Sequence, residues 1–132
     1  MPGSVPGALV GSWVHANFGE DERFKLNADG TGYYQSSVAD PGGCSVTQGS
    51  TWDGTVVIDE TTITIYATTV TNTRFECGNK TVTTSAPQTL HFSYTYDAGT
   101  DGLSVIDSAC AAKYADSPSS QSLYCKNAYT RE

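Results

Sequence analysis

The sequence predicts an all-β protein, built as an antiparallel up-and-down β-barrel of eight or nine strands. Apolar and polar residues alternate with a period of two along most of the chain, most clearly where Leu90, Phe92 and Tyr94 alternate with polar residues. This is the period of strands that bury one face. Thr, Tyr and Gly are abundant, which favours strands and turns over helices. A closed barrel suits so many short strands, because closure leaves no strand edge unpaired.

The strands are expected to follow one another through short connections. Residues 1–8 are rich in Pro and Gly and are expected to form a flexible lead-in, so that one barrel domain spans 9–132. Asn27-Ala28-Asp29-Gly30 predicts a tight turn, since Gly tolerates the positive φ that such a turn needs. Alternation and turn residues together predict strands at 10–18, 22–27, 31–38, 51–58, 62–71, within 75–85, and at 88–96, 103–107 and 123–130.

Two segments interrupt this rhythm. Residues 39–50 contain Asp40-Pro41-Gly42-Gly43 and are expected to form a loop long enough to reach over one mouth of the barrel. Residues 110–115 are expected to form one or two helical turns, which Asp116-Ser117-Pro118 ends.

The charge balance excludes several classes of partner. The net charge is −7, and the seven Lys and Arg residues form no cluster. Nucleic acid is therefore disfavoured as a partner, because the chain lacks a patch of basic residues. An anionic membrane surface is disfavoured for the same reason. No stretch is long and apolar enough to insert into a membrane.

Four cysteines indicate the compartment. Cys44, Cys77, Cys110 and Cys125 include no Cys-x-x-Cys pair, so that a zinc site is disfavoured and neither a metal nor a cofactor is expected. An even count in a short, Lys-poor chain favours two disulfides and a secreted or extracytoplasmic location. Three pairings are possible, and the order of the hairpins favours Cys44–Cys77 with Cys110–Cys125. Four buried free thiols in a cytosolic protein are the alternative.

Both ends of the chain carry a resemblance to a known group. Leu9-Val10-Gly11-Ser12-Trp13, Asp29-Gly30-Thr31-Gly32 and Tyr129-Thr130-Arg131 resemble the opening and closing strands of small lipocalin-like domains of the calycin group. The resemblance implies that Gly11 and Trp13 lie at the closed end of the barrel and that Arg131 covers the Trp13 ring. Biotin-binding barrels share the Gly-x-Trp start, but the further Trp residues of their pocket are missing. Residues 39–120 carry no such resemblance.

The aromatic residues on strands are the candidate ligand contacts. Tyr and Trp offer an apolar face with a polar edge, which suits a flat ligand, although core packing is the alternative role for each. His15 and His91 are weak candidates for an acid/base pair. The ligand contacts expected in one cavity are Phe24, Tyr34, Trp52, Phe92, Tyr94 and Tyr96.

These features predict a secreted barrel that binds a small, mostly apolar or aromatic molecule. A calycin-like enzyme, a cyclase or isomerase acting on a small organic substrate, is the first alternative. A secreted inhibitor or other protein-binding module that uses its loops is the second, so that a protein partner is left open. A hollow apolar barrel favours binding, a cavity with a buried His, Tyr or carboxylate favours the enzyme, and a filled barrel with a protruding loop favours the inhibitor. The ligand, the oligomeric state and the source do not follow from the sequence.

Overall fold

The structure, a computed structural model, describes residues 5–17, 20–40, 46–117, 119 and 125–132. One turn of 3-10 helix, Gly7–Leu9, precedes the first strand, and one short helix, α1, spans Ser108–Lys113. The described residues form nine strands: β1 Gly11–Asn17, β2 Glu20–Leu26, β3 Thr31–Asp40, β4 Val46–Ile58, β5 Thr62–Glu76, β6 Asn79–Ser85, β7 Gln88–Asp97, β8 Gly102–Asp107 and β9 Lys126–Arg131.

The strands close into an antiparallel up-and-down barrel, as the sequence predicts. Eight of the described strands complete the barrel, since β4 pairs with β5 and β1 pairs with β9. The β1–β9 pairing joins Trp13 to Arg131 and Val14 to Thr130. The ninth strand, β6, lies outside the barrel and pairs with the second half of β5, from Val70 to Glu76. The first half of β5 pairs with β7.

The predicted loop at 39–50 is wrong for most of its length. β3 continues to Asp40 and β4 begins at Val46, with Ala39 paired to Thr47. Residues 41–45 lie outside the described residues. The sequence of the whole 39–50 segment is mostly polar and therefore lacks the alternation that predicts a half-buried strand. Backbone pairing with β3 and β5 nevertheless extends β4 beyond the barrel wall.

A bend in the wall depends on two glycines. The pairing of β4 with β5 shifts by one residue between Asp53 and Gly54, as in a β-bulge. A Cβ atom on Gly54 would clash with the carbonyl oxygen of Tyr66, and one on Gly32 would clash with that of Lys25. Only Gly allows the backbones to approach so closely at these two positions.

The core fills one half of the barrel. Trp13 and Phe24 are fully buried in it. Val5 and Leu9, which precede β1, also pack into this core. Apolar side chains from six strands complete the core: Leu26, Val56, Ile63, Ile65, Ala67, Val70, Phe92, Leu103, Val105 and Tyr129.

The disulfide Cys110–Cys125 is confirmed, with a Cα–Cα distance of 5.6 Å. Cys77 is disulfide-bonded as well, and Cys44, its expected partner, lies outside the described residues. No cysteine within the described part of the chain is free, which agrees with an oxidising compartment. In those same ranges, no helix has the length and apolar character needed to cross a bilayer.

Candidate functional site

The closed end of the barrel is plugged by Trp13. Its side chain is fully buried, and its indole Nε1 donates a hydrogen bond to the Leu9 carbonyl at 2.9 Å. The guanidinium carbon of Arg131 lies 4.3 Å from the ring centroid, a cation–π contact. The structure thus brings together Trp13 and Arg131. Gly11 lies beside them with φ +136°, where a Cβ atom would meet the guanidinium.

Polar groups hold Arg131 over the ring. Its Nε donates to Asp101 at 2.8 Å, and its terminal nitrogens donate to the carbonyls of Ala8 and Val10. Tyr96 also donates its hydroxyl to Asp101. The hydrogen bonds from Arg131 and Tyr96 lower the pKa of Asp101. Among the described residues, Trp13, Arg131, Asp101 and Tyr96 therefore form one bonded structural unit at this end of the barrel.

The other end opens into a cleft of about 670 Å³. One wall is an aromatic pair, because the rings of Tyr34 and Trp52 stack with their centroids 5.4 Å apart. The Trp52 indole nitrogen donates to Gln88 at 3.0 Å, which orients the ring. Phe92 forms the floor beneath the pair, 5.1 Å from Tyr34. The cleft is lined by Glu22, Tyr34, Ser36, Trp52, Gln88, Thr89, Leu90, His91, Phe92, Asp107, Ser108 and Ala109.

A carboxylate, Glu22, also lines this cleft. Its Oε2 accepts hydrogen bonds from the Tyr129 hydroxyl and from the Asn127 amide, each at 2.8 Å. Tyr34 hydrogen-bonds to Glu22 as well. Burial, followed by the charge of Glu22, raises the pKa of Tyr34. Burial, the charge on Tyr34 and that on Glu22 raise the pKa of Tyr129. Both phenols therefore stay protonated at neutral pH and act as donors.

Helix α1 lies against this mouth. Asp107 begins the helix, with its carboxylate accepting from the Ala109 amide at 2.9 Å, and the Cys110–Cys125 disulfide ties the helix to the chain just before β9. A smaller cavity of about 160 Å³ is lined by both cysteines together with Glu22, Tyr34 and Asp107. Since these three residues also line the larger cleft, the two cavities are neighbours beneath the helix.

The two histidines do not form a pair. His15 lies opposite Glu22 in the β1–β2 pairing, and its Nδ1 is 2.9 Å from the Ala128 carbonyl oxygen. This geometry places the proton on Nδ1, because a carbonyl only accepts. His91 is exposed at the rim of the cleft. Among the described residues, no hydrogen bond or ring contact joins the two.

The structure divides the expected ligand contacts between the two ends. Tyr34, Trp52 and Phe92 meet at the open cleft, and Phe24 lies buried beneath them, with its ring 4.9 Å from that of Tyr34. Tyr94 and Tyr96 lie at the closed end. Tyr94 donates to the Asp59 carbonyl, and the Tyr96 ring packs edge-on against Trp13 at 6.1 Å.

Two polar residues, one lining the cleft and one lining the smaller cavity beside it, were missed from the sequence. Glu22 lies on the inward face of β2, two residues before Phe24, and Asn127 lies two residues before the buried Tyr129. The strand period could have placed both residues on the inward face, because residues two apart on a strand share a face. A polar residue in phase with the core is a candidate for the mouth of a barrel.

Comparison with protein-family models, with curated proteins and with solved structures finds no significant match to this chain. The structure alone defines the class: a closed antiparallel barrel, compatible with a lipocalin-like fold, that is filled at one end and open at the other.

Proposed function

We propose that this protein is a secreted, lipocalin-like barrel of the calycin type that binds a small, flat, mostly apolar molecule in its open cleft. The observation that carries the proposal is the stacked Tyr34–Trp52 pair on the wall of a 670 Å³ cleft. That volume falls in the range of about 300–1,000 Å³ that is usual for ligand sites. The disulfide supports an extracellular location.

The packing explains why a ligand would sit at the mouth. The ring contacts Phe24–Tyr34 and Tyr34–Trp52 form a continuous aromatic series from the core to the cleft. Buried Phe24 anchors this series, whereas Trp52 is only partly buried. A flat apolar ligand placed against Trp52 would extend the series and remove that exposed ring from water.

Binding to Trp52 can be tested with the apolar fluorescent probe N-phenyl-1-naphthylamine. We expect the probe to quench tryptophan emission in the wild type and to raise the melting temperature by mass action. The matched control is Trp52→Phe, in which Trp13 is the remaining indole. Because Trp13 is buried at the far end, its emission should be quenched less strongly than that of Trp52. Equal quenching in both proteins, or none in either, would contradict binding at this cleft.

A second candidate function is an isomerase or cyclase in the same cleft. The observation in its favour is a carboxylate surrounded by protonated phenols, since Glu22 accepts from Tyr129 and Tyr34. Glu22 would take a proton from one carbon of a bound substrate and return it to another, with a phenol stabilising the charge in between. In that case Glu22→Gln would abolish turnover and leave probe binding unchanged.

The loop-based inhibitor is supported least. A filled barrel with a protruding loop was its expected mark, whereas the described part of 39–50 is strand.

A further inference from the structure

We infer that the ligand carries a positively charged amine, which faces Glu22 while its aromatic part contacts the Tyr34–Trp52 pair. This inference rests on the proposed function, because it names the ligand class of the same cleft. It combines the carboxylate charge of the cleft with its aromatic wall.

The first argument is an unbalanced negative charge. Glu22 and Asp107 line both the large cleft and the smaller cavity beside it, and no Lys or Arg among the described residues lines either. The three donors to Glu22 are the neutral groups of Tyr129, Asn127 and Tyr34. A partly buried carboxylate without a cation is costly, and a bound ammonium group would supply the missing charge.

The arginines of the chain are engaged elsewhere. Arg23 pairs with Glu132 at 2.7 Å, and Arg131 pairs with Asp101 at the closed end. Arg74 contacts Glu76 on the part of β5 that extends beyond the barrel. These pairings leave no guanidinium to neutralise Glu22.

The titratable neighbours of Glu22 include His15, Tyr34 and Tyr129. His15 faces it from β1 and uses Nδ1 on the Ala128 carbonyl. The negative charges of Glu22 and Asp107 each raise the pKa of the Tyr34 hydroxyl. The two carboxylates thus act on the same point of the cleft, beside the aromatic wall.

The aromatic wall adds to the attraction. The faces of Trp and Tyr rings attract cations as well as apolar groups. Tyr34 belongs to both features, because it stacks on Trp52 and hydrogen-bonds to Glu22. A ring joined to a primary amine by a short linker would contact both at once. A carboxylate ligand of the same shape would be repelled by Glu22 and Asp107.

The test compares probes of one shape and three charges: 2-phenylethylamine, 2-phenylethanol and 3-phenylpropionate, measured at pH 7 by titration calorimetry. The corresponding indolyl and naphthyl compounds cover larger rings. We expect the amine of the best-fitting ring to bind about tenfold more tightly than its alcohol, which is the usual contribution of one hydrogen bond to a charged group. The carboxylate should bind most weakly.

Glu22→Gln should reduce the preference for the amine to within about twofold, because the amide keeps the shape and loses the charge. Asp107→Asn, which retains a helix-capping side chain, should reduce it partially and provides a second variant if Glu22→Gln fails to fold. The matched control is Glu60→Gln at the exposed β4–β5 turn, which removes the same charge outside the cleft and should preserve the preference.

The outcomes separate the two proposals. If the alcohol and the amine bind equally well to the wild type, the amine inference is overturned and the proposed cleft stands. If Glu22→Gln and Glu60→Gln lower amine binding to the same extent, the preference comes from net charge, and the inference is again overturned. If no compound of any ring size binds, both proposals fail.

Discussion

Replacing Trp13 by Ala should cost about 3–5 kcal/mol of the free energy of unfolding, the range for truncating a buried aromatic side chain. Trp13 is fully buried at the closed end. Its indole also donates a hydrogen bond to the Leu9 carbonyl and makes a cation–π contact with Arg131. Most small domains have a total stability of about 5–15 kcal/mol. The substitution should therefore remove a large part of it, which urea unfolding followed by circular dichroism would measure.

Two further variants separate the contributions at this end. Arg131→Gln should cost clearly less than Trp13→Ala, since it removes a cation–π contact and an exposed ion pair but no buried side chain. The double variant should lose less free energy of unfolding than the two single variants lose together, because both changes remove the same contact. The control is Trp52→Ala at the open mouth, which should cost less than half as much as Trp13→Ala. A loss below about 1 kcal/mol for Trp13→Ala would refute the assignment of Trp13 as the plug.

Three other predictions concern the disulfide and the ionisable groups. Replacing Cys110 and Cys125 by Ser should cost about 3 kcal/mol in the chain-entropy model, measured by urea unfolding; an unchanged stability would contradict a structural role. The pKa values of Tyr34 and Tyr129 are raised by burial and by Glu22, so their contribution to stability is present below pH 10 and is lost as the pH rises further. An ultraviolet titration should show Tyr34 and Tyr129 ionising only as the protein unfolds. The pKa of Asp101 is lowered from 3.8, so its contribution is present above about pH 4 and is lost as the pH falls through the lower, folded value. The difference in melting temperature between the wild type and Asp101→Asn should shrink between pH 7 and pH 3; a constant difference would contradict the Arg131 pairing.

The strand pattern was sufficient to predict the barrel and most of its strands. Period two identifies the inward face of β7 from Leu90, Phe92 and Tyr94, and the Asn27–Gly30 turn has the expected hydrogen bond from the Gly30 amide to the Asn27 carbonyl. Both signals are local in the chain. The Cys110–Cys125 bridge followed from order along the chain, which is also local information.

The height of a residue along the barrel could not be predicted in the same way. Tyr34 and Tyr94 both face inward, yet Tyr34 lies at the open mouth and Tyr94 at the closed end. Height depends on the stagger between strands, which is a property of long-range pairing. The bulge at Asp53–Gly54 changes that stagger further. For this reason Glu22 was not recognised as a partner of the aromatic pair.

The separation of a filled half from an open half has a consequence for redesign of this protein. The packed half contains the fully buried side chains of Trp13, Phe24 and Val56. The cleft begins a few residues further along the same strands. Randomising Ser36, Trp52, Gln88 and Leu90 in a display library would therefore vary the lining of the cleft, the proposed binding surface, while every fully buried side chain stays in place. The barrel offers a scaffold whose specificity can be exchanged without rebuilding its core.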